Sequence, residues 1–341
     1  MTTATARYGV SLPVQEELAT SQLVDLARLA EEEGFDSVFL GEIAGVEGFA
    51  TLGAMASVTE RVRLVSGVLS IYNRSPALTA MGFATLSSLA PGRIAAGIGT
   101  GSYTVVEDWH GRSFTAARRT MTEFIEIFRR LMAGERVTYE GEQLTTKGFR
   151  LQIPLEGPVP VLMGSFNPTM LRLAGAIADG VILAFCPPAG MVERIAHIHR
   201  GAEEAGRDPT ELEISAYVNC YAGEEVEPAM ERFRRLVLQY AVQPTHRAGF
   251  VESFPRIDEA TRLWDEGKRR EALELVPDAT VLDLCPVGDA ASVIAHLERV
   301  RAAGVDLPVA FPQSLGMGDA ETPAATIRAL AAELRTTKVG G

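Results

Sequence analysis

Short apolar, β-branched runs alternate along this chain with amphipathic segments of helical length, and that alternation restricts the fold more than any other feature of the sequence. The clearest unit covers residues 62–102, with an apolar run over 62–70, a helical segment over 76–89 and a second apolar run over 94–99. Pro76 suits a first helical turn, where its missing N–H would be unpaired in any case, and Pro91-Gly92 stops the helix before the next strand. Earlier runs at 8–12 and 37–42 are joined by a helix that Thr20-Ser21 can cap and Gly34 closes, and a second helix covers about 49–59. Downstream, a helix over 115–132 carries Phe124, Ile127, Phe128 and Leu131 on one stripe. Runs at 159–165, 180–185, 212–221 and 305–311 then alternate with helices over 168–178, to Ala205, from about Pro228, over 289–303 and over 322–334. Strands that are apolar along their whole length are buried on both faces, as in a parallel sheet. Eight such units predict a closed (β/α)8 TIM barrel rather than an open doubly wound sheet, as a single domain over 1–341. Two segments depart from the rhythm: a small hairpin insertion near 134–157 and a charge-rich, helical insertion near 242–280. The apolar stretch 281–285 fits neither pattern.

Composition removes whole classes of function. A net charge of −12 disfavours nucleic acid and anionic membrane as partners, since both call for a basic surface. Cys186, Cys220 and Cys285 lie far apart with no paired spacing, which fits packed thiols in a reducing compartment better than disulfides or a zinc site. No long apolar span and no basic-then-apolar leader occurs, so the expectation is a cytoplasmic protein that takes a small-molecule substrate.

In a barrel the interior packs solid and ligands bind at the C-terminal mouth, so residues at the strand ends become the candidates. Glu42, 66–70, 100–102, 163–167 and 184–187 fall there. Gly99-Thr100-Gly101 reads either as an anion-binding nest or as a tight turn needing positive φ. The loop Gly164-Ser165-Phe166-Asn167 opens a helix with Thr169 and Met170 in its first turn; it either grips a phosphate or is a plain cap with Asn167 as N-cap. Glu42 is either a catalytic carboxylate or a capping or salt-bridged one. Histidines do not cluster, so no metal site is expected, and Gly-x-Ser-x-Gly, Walker and Rossmann signatures are lacking.

Glu31-Glu32-Glu33-Gly34-Phe35-Asp36-Ser37-Val38, Thr59-Glu60-Arg61-Val62-Arg63-Leu64, Arg74-Ser75-Pro76-Ala77, Ala84-Thr85-Leu86, Pro91-Gly92-Arg93 with Gly97-Ile98-Gly99-Thr100-Gly101, Pro158-Val159-Pro160-Val161 and Ala178-Asp179-Gly180 form a set. That set resembles the luciferase-like flavin and deazaflavin oxidoreductases, most closely the branch that uses coenzyme F420, typified by methylenetetrahydromethanopterin reductase. The resemblance implies a deazaflavin held at the barrel mouth, with a non-proline cis peptide at Gly67–Val68 forming a bulge behind the ring. It implies contacts to the cofactor from Ser70, Thr100 and Gly101, a phosphate held by Gly164, Ser165, Phe166, Asn167, Thr169 and Met170, and an acidic residue, Glu42, near the ring.

Sugar-phosphate dehydrogenases of the branch follow that acid with histidine and place glutamate after Gly-Thr-Gly, whereas Ile43 and Ser102 stand here. Residues 184–187 also offer no cationic clamp, which disfavours glucose-6-phosphate oxidation. The implied function is hydride transfer between F420 and a C=C or C=N acceptor, with Glu42 or a water supplying the proton. Two alternatives stay open: an FMN-dependent monooxygenase on the same scaffold, and a non-catalytic F420 carrier or sensor. The resemblance further implies a homodimer. The 242–280 insertion, with Phe250, Phe254 and Trp264, either lids the mouth or packs outside the barrel.

Overall fold

Parallel pairing runs without a break around eight strands in this computed structural model, which describes residues 6–243, 250 and 254–339. The elements in order are β1 (Gly9–Ser11), α1 (Thr20–Glu32), β2 (Ser37–Leu40), α2 (Gly48–Val58), β3 (Arg63–Ser66), β4 (Leu69–Ser70), α3 (Pro76–Leu89) and β5 (Ile94–Gly99). A π-helical turn, Thr104–Trp109, leads to α4 (Ala117–Met132), β6 (Val137–Glu140), β7 (Thr145–Phe149), β8 (Val161–Gly164), α5 (Pro168–Ile177), β9 (Gly180–Leu183), α6 (Pro188–Glu204) and β10 (Glu213–Ala222). The chain continues through α7 (Val226–Ala241), α8 (Ile257–Asp265), α9 (Arg269–Glu274), α10 (Asp278–Leu284), β11 (Val287–Gly288), α11 (Ala290–Ala302), β12 (Leu307–Pro312) and α12 (Glu321–Val339). The ring is β1-β2-β3-β5-β8-β9-β10-β12, closed where Val10 pairs with Ala310. The expected (β/α)8 barrel is the fold.

Side chains alternate between two cores, as the strand period requires. Phe39, Val65, Ala95, Leu162, Ile182, Leu307 and Val309 fill the barrel, while Val10, Val38, Leu40, Ile98, Val181 and Val218 face the helices. Helix ends follow local chemistry. Ser75 Oγ accepts from Leu78 N at 3.1 Å ahead of Pro76, and Asn167 Oδ1 accepts from Met170 N at 2.9 Å ahead of Pro168. At α1 the expectation fails: Ala19 is the N-cap residue, its N–H donating to Gln22 Oε1 at 2.8 Å, and Thr20 and Ser21 lie within the first turn.

Several of the motifs that carry the resemblance are scaffold. Glu31 accepts from the N–H groups of Glu60, Arg61 and Val62 at 2.6–3.0 Å, tying α1 to the start of β3. Arg93 donates to Thr59 O at 2.8 Å and Val62 O at 2.9 Å, and Asp179 joins Val161 N at 2.8 Å to Arg129 at 2.6 Å. The hairpin insertion is β6 and β7, with its turn held by Glu123, which accepts from three consecutive N–H groups at 2.8–2.9 Å.

Stretch 281–285 lies in α10 and its cap, so it belongs to the helical insertion, which therefore extends past 280. Residues 244–249 and 251–253 of that insertion lie outside the described residues. Its described part packs outside the barrel, α8, α9 and α10 on α7, in an apolar cluster that also includes the strand-end residues Phe185 and Tyr221, with Phe166, Ala184 and Leu315 packed on it. Phe185 stacks on Tyr240 with ring centroids 3.7 Å apart. No helix among the described residues is long and apolar enough to cross a membrane.

Candidate active site

Beyond Phe39, Val65 and Ala95 the inward positions of β2, β5 and β8 change to Gly41, Gly97, Gly99 and Gly164, and the inward position after β9 is Ala184. A mouth floored with side chains here would be plugged. What enters the space instead is the chain itself between β3 and β4, where Gly67–Val68 is a cis peptide. Apolar patterning reads 62–70 as one strand, whereas the resemblance puts a cis-peptide bulge at Gly67–Val68; the structure has that bulge, and it divides the run into β3 and β4. A Cβ on Gly99 would lie 2.7 Å from Val68 Cγ2, and one on Gly164 3.0 Å from Val68 Cγ1. Gly67 has no room for a side chain either, because Tyr217 Oη occupies that position and donates to Gly67 O at 3.2 Å. Burial pushes the Tyr217 phenol far above its ordinary pKa, so it stays protonated as a donor.

The expected cofactor residues come together around this bulge. Ser70 Oγ donates to Thr100 O at 3.2 Å, and Gly101 lies beside Ser70 with φ +73°, a conformation that both the turn and the nest readings of Gly99-Thr100-Gly101 use. Inward-facing Gly67, Val68, Gly164, Ala184, Tyr217 and Phe311 all keep part of their surface accessible. On the rim of the mouth, Ser165 Oγ is buried without a hydrogen-bond partner, Asn167 caps α5, Thr169 is exposed in the first turn, and the Met170 side chain is buried. The plain-cap reading of Asn167 is therefore realised, and it leaves the N–H of Thr169 at a helix N-terminus with no intrahelical acceptor.

Glu42 is committed to the frame of the site. Arg74 binds both of its carboxylate oxygens, Gly48 N donates to Oε2 at 2.7 Å, and Arg74 also pairs with Glu47. Burial opposes the charge on Arg74, but its two carboxylate partners outweigh that and raise its pKa. Gly48 lies against Leu69 of β4, so this cluster locks the loop after β2 onto the bulge.

Sequence reasoning gave no site role to five residues: Arg74, quoted there only as part of a motif, Tyr217, the Asn219–Gln313 amide pair bonded at 2.9 Å, and Arg194. Arg194 reaches back from α6 to donate to Ala184 O at 3.0 Å and Phe185 O at 3.3 Å, with its guanidinium 5.3 Å from the centre of the Phe166 ring. Inward alternation along 215–219 could have flagged Tyr217 and Asn219, whereas no local signal marks Arg194. The three cysteines are free and buried, with burial pushing Cys186 up to about 11 and Cys220 to about 12, so none offers a thiolate. Among the described residues no three His, Cys, Asp or Glu side chains form a metal-binding group.

The family model described as luciferase-like monooxygenase matches residues 4–307. The F420-dependent glucose-6-phosphate dehydrogenase of Nakamurella multipartita is 34% identical over 282 residues, 78% of this chain and 81% of that protein. The 5,10-methylenetetrahydromethanopterin reductase of Methanolobus tindarius is 31% identical over 222 residues, 65% of this chain and 67% of that protein. Among solved structures, the coenzyme F420 dependent tetrahydromethanopterin reductase of Methanopyrus kandleri superposes with a TM-score of 0.83 at 23% identity, covering 98% of this chain and 99% of that one, a likeness of fold. With the match spanning seven of the eight barrel strands, the bulge and the loops after β5 and β8, the chain belongs to the luciferase-like monooxygenase family.

Proposed function

We propose that this chain is an F420-dependent oxidoreductase whose barrel mouth passes a hydride between the deazaflavin and a small organic acceptor with a C=C or C=N bond. The carrying observation is the Gly67–Val68 bulge seated on the cradle of Gly99 and Gly164, where Val68 fills the space their missing side chains leave and a flat group would lie against the bulge itself. Relatives named for F420 at 34% and 31% identity support the cofactor. F420 supplies a hydride at C5 of its deazaflavin ring when bound.

The chain's own residues do the rest. Val68 and the Gly67 carbonyl back the ring, Tyr217 braces the bulge from behind, and Ser70, Thr100 and Gly101 border it. Ser165 Oγ and the Thr169 N–H at the start of α5 take the phosphate, with the positive charge of Arg194 behind the loop. Glu42, ringed by three donors, acts as a positioning carboxylate that fixes the loop after β2, and an ordered water delivers the proton. Orientation and the exclusion of bulk water supply most of the rate. A homodimer would cover the exposed Leu78, Met81 and Leu89 on α3.

Anaerobic titration with F420 and with FMN tests the assignment: F420 binds tightly and FMN weakly, and the reverse order overturns it. The description of the family model favours a second reading, a flavin monooxygenase, which would consume oxygen in stoichiometry with turnover. Tight F420 binding without turnover on a broad acceptor panel would point to a carrier or sensor.

A further inference from the structure

Across the mouth from the glycine wall, β10 and β12 carry polar side chains that the steps above leave idle. Strand alternation turns Tyr217 and Asn219 of β10 and Phe311 of β12 inward, and Gln313 takes the next inward position. Register sets Asn219 opposite Phe311, and Gln313 N donates to Cys220 O at 3.3 Å, which extends the pairing by one residue. Gln313 Nε2 then donates to Asn219 Oδ1 at 2.9 Å, and the two residues are only 5% and 3% exposed.

Half of each carboxamide is left over. Among the described residues neither Asn219 Nδ2 nor Gln313 Oε1 has a protein hydrogen-bond partner, yet neither atom is sealed from solvent. Exchanging the assigned oxygen and nitrogen of both amides changes nothing, because one NH2 and one carbonyl remain free in either arrangement. A carboxamide pair carries no charge, and Glu16 on the loop after β1 is already paired with Arg232. The free groups therefore suit a ligand edge with one acceptor beside one donor, and they offer nothing to neutralise a carboxylate or phosphate.

We propose that Asn219 and Gln313 are the substrate-recognition pair of this site, selecting a neutral acceptor with an amide-like edge, such as an unsaturated lactam. The proposal rests on the reading of the mouth as the redox site, and the two fail differently. The protein is first titrated with F420 by cofactor fluorescence, then, saturated with it, by calorimetry with an α,β-unsaturated lactam, its N-methyl derivative and the matching unsaturated carboxylate. The lactam binds about tenfold tighter than either analogue, because a site built around a donor–acceptor pair rejects a ligand that leaves it unmatched. Gln313→Met and Asn219→Leu each reduce the lactam to the level of its N-methyl derivative, while the F420 dissociation constant stays within about twofold of its original value.

Equal affinity for lactam and N-methyl lactam, preference for the carboxylate, no lactam binding at millimolar concentration, or variants that keep the discrimination would each overturn the proposal. The comparison on the unaltered protein needs no variant, so a variant that fails to fold leaves the question decidable. Failure of F420 to bind in the first titration overturns the cofactor reading alone, and the lactam comparison is then made on the protein without it.

Discussion

Arg74 joins two carboxylates from the loop after β2 while following the bulge itself in the chain, so one guanidinium couples that loop to the bulge. Replacing it leaves Glu42, 16% exposed, with a single donor. Arg74→Met is expected to lower stability by ~2 kcal/mol and to weaken F420 binding about tenfold, read by urea denaturation and fluorescence titration. Glu42→Gln, which keeps an acceptor in place, is expected to lose less on both measures. If Arg74→Met binds F420 as the unaltered protein does, the pair does not position the mouth. Another buried titratable group sits far from the site: burial first, and the Arg299 charge next, push His296 down from 6.5 to about 4. Its Nδ1 faces Arg299 Nη2 at 2.8 Å and serves as an acceptor. A histidine that binds its proton less readily folded than unfolded contributes stability above the unfolded value, and that stability is lost as pH falls from 6.5 toward 4. The loss is about 3 kcal/mol at ~1.4 kcal/mol per unit, and His296→Gln should flatten this part of the stability profile in denaturation series at successive pH values. Sequence reading singled out Glu42 and the residues of the loop before α5 because they sit at strand ends. It could not find the partners of Glu42, since Arg74 is 32 residues away in sequence and proximity of that kind exists only after the barrel closes.

Glycine at the inward positions of β5 and β8 is what lets Val68 enter the mouth. Gly99→Ala places a methyl 2.7 Å from Val68 Cγ2, and the backbone bulge must move toward the space where the ring would lie. The expected cost is ~1–2 kcal/mol of overpacking with F420 affinity reduced at least about tenfold, whereas Gly92→Ala, outside the mouth, leaves F420 affinity unchanged. Retention of full F420 affinity by Gly99→Ala would remove the cradle from the argument. Elements bounded by strong local chemistry were readable from sequence: α3 runs over the expected Pro76–Leu89 because Ser75-Pro76 and Pro91-Gly92 act within a few residues of its ends. Where the deciding partner is remote, apolar patterning alone does not show it, and the bulge at Gly67–Val68 is expected only from the resemblance. The break between β3 and β4 depends on the empty inward positions of two neighbouring strands. The cap of α1 depends on a Gln22 side chain that outcompetes two better capping residues, and α10 is held by its packing on α7.

The barrel gathers segments separated by more than a hundred residues at one rim, and the charge they share acts at longer range than any single contact. With a net charge of −12 the molecule repels a phosphate-bearing cofactor at a distance, while the N-terminus of α5 and Arg194 attract it only within the loop that receives it. The two contributions respond differently to salt. Repulsion over the whole surface is screened once the Debye length falls to about 8 Å, near 0.15 M salt, whereas the half-buried contacts at the loop are screened much less. Association should therefore speed up as ionic strength rises from about 0.01 M to 0.15 M, by a few-fold, with the dissociation rate nearly constant. Stopped-flow fluorescence with F420 at several salt concentrations measures both rates. An association rate that falls with salt would mean that the field at the rim is positive despite the acidic whole. The phosphate would then be steered by a basic surface outside 164–170, and the loop at the start of α5 would lose its assigned part in capturing the cofactor.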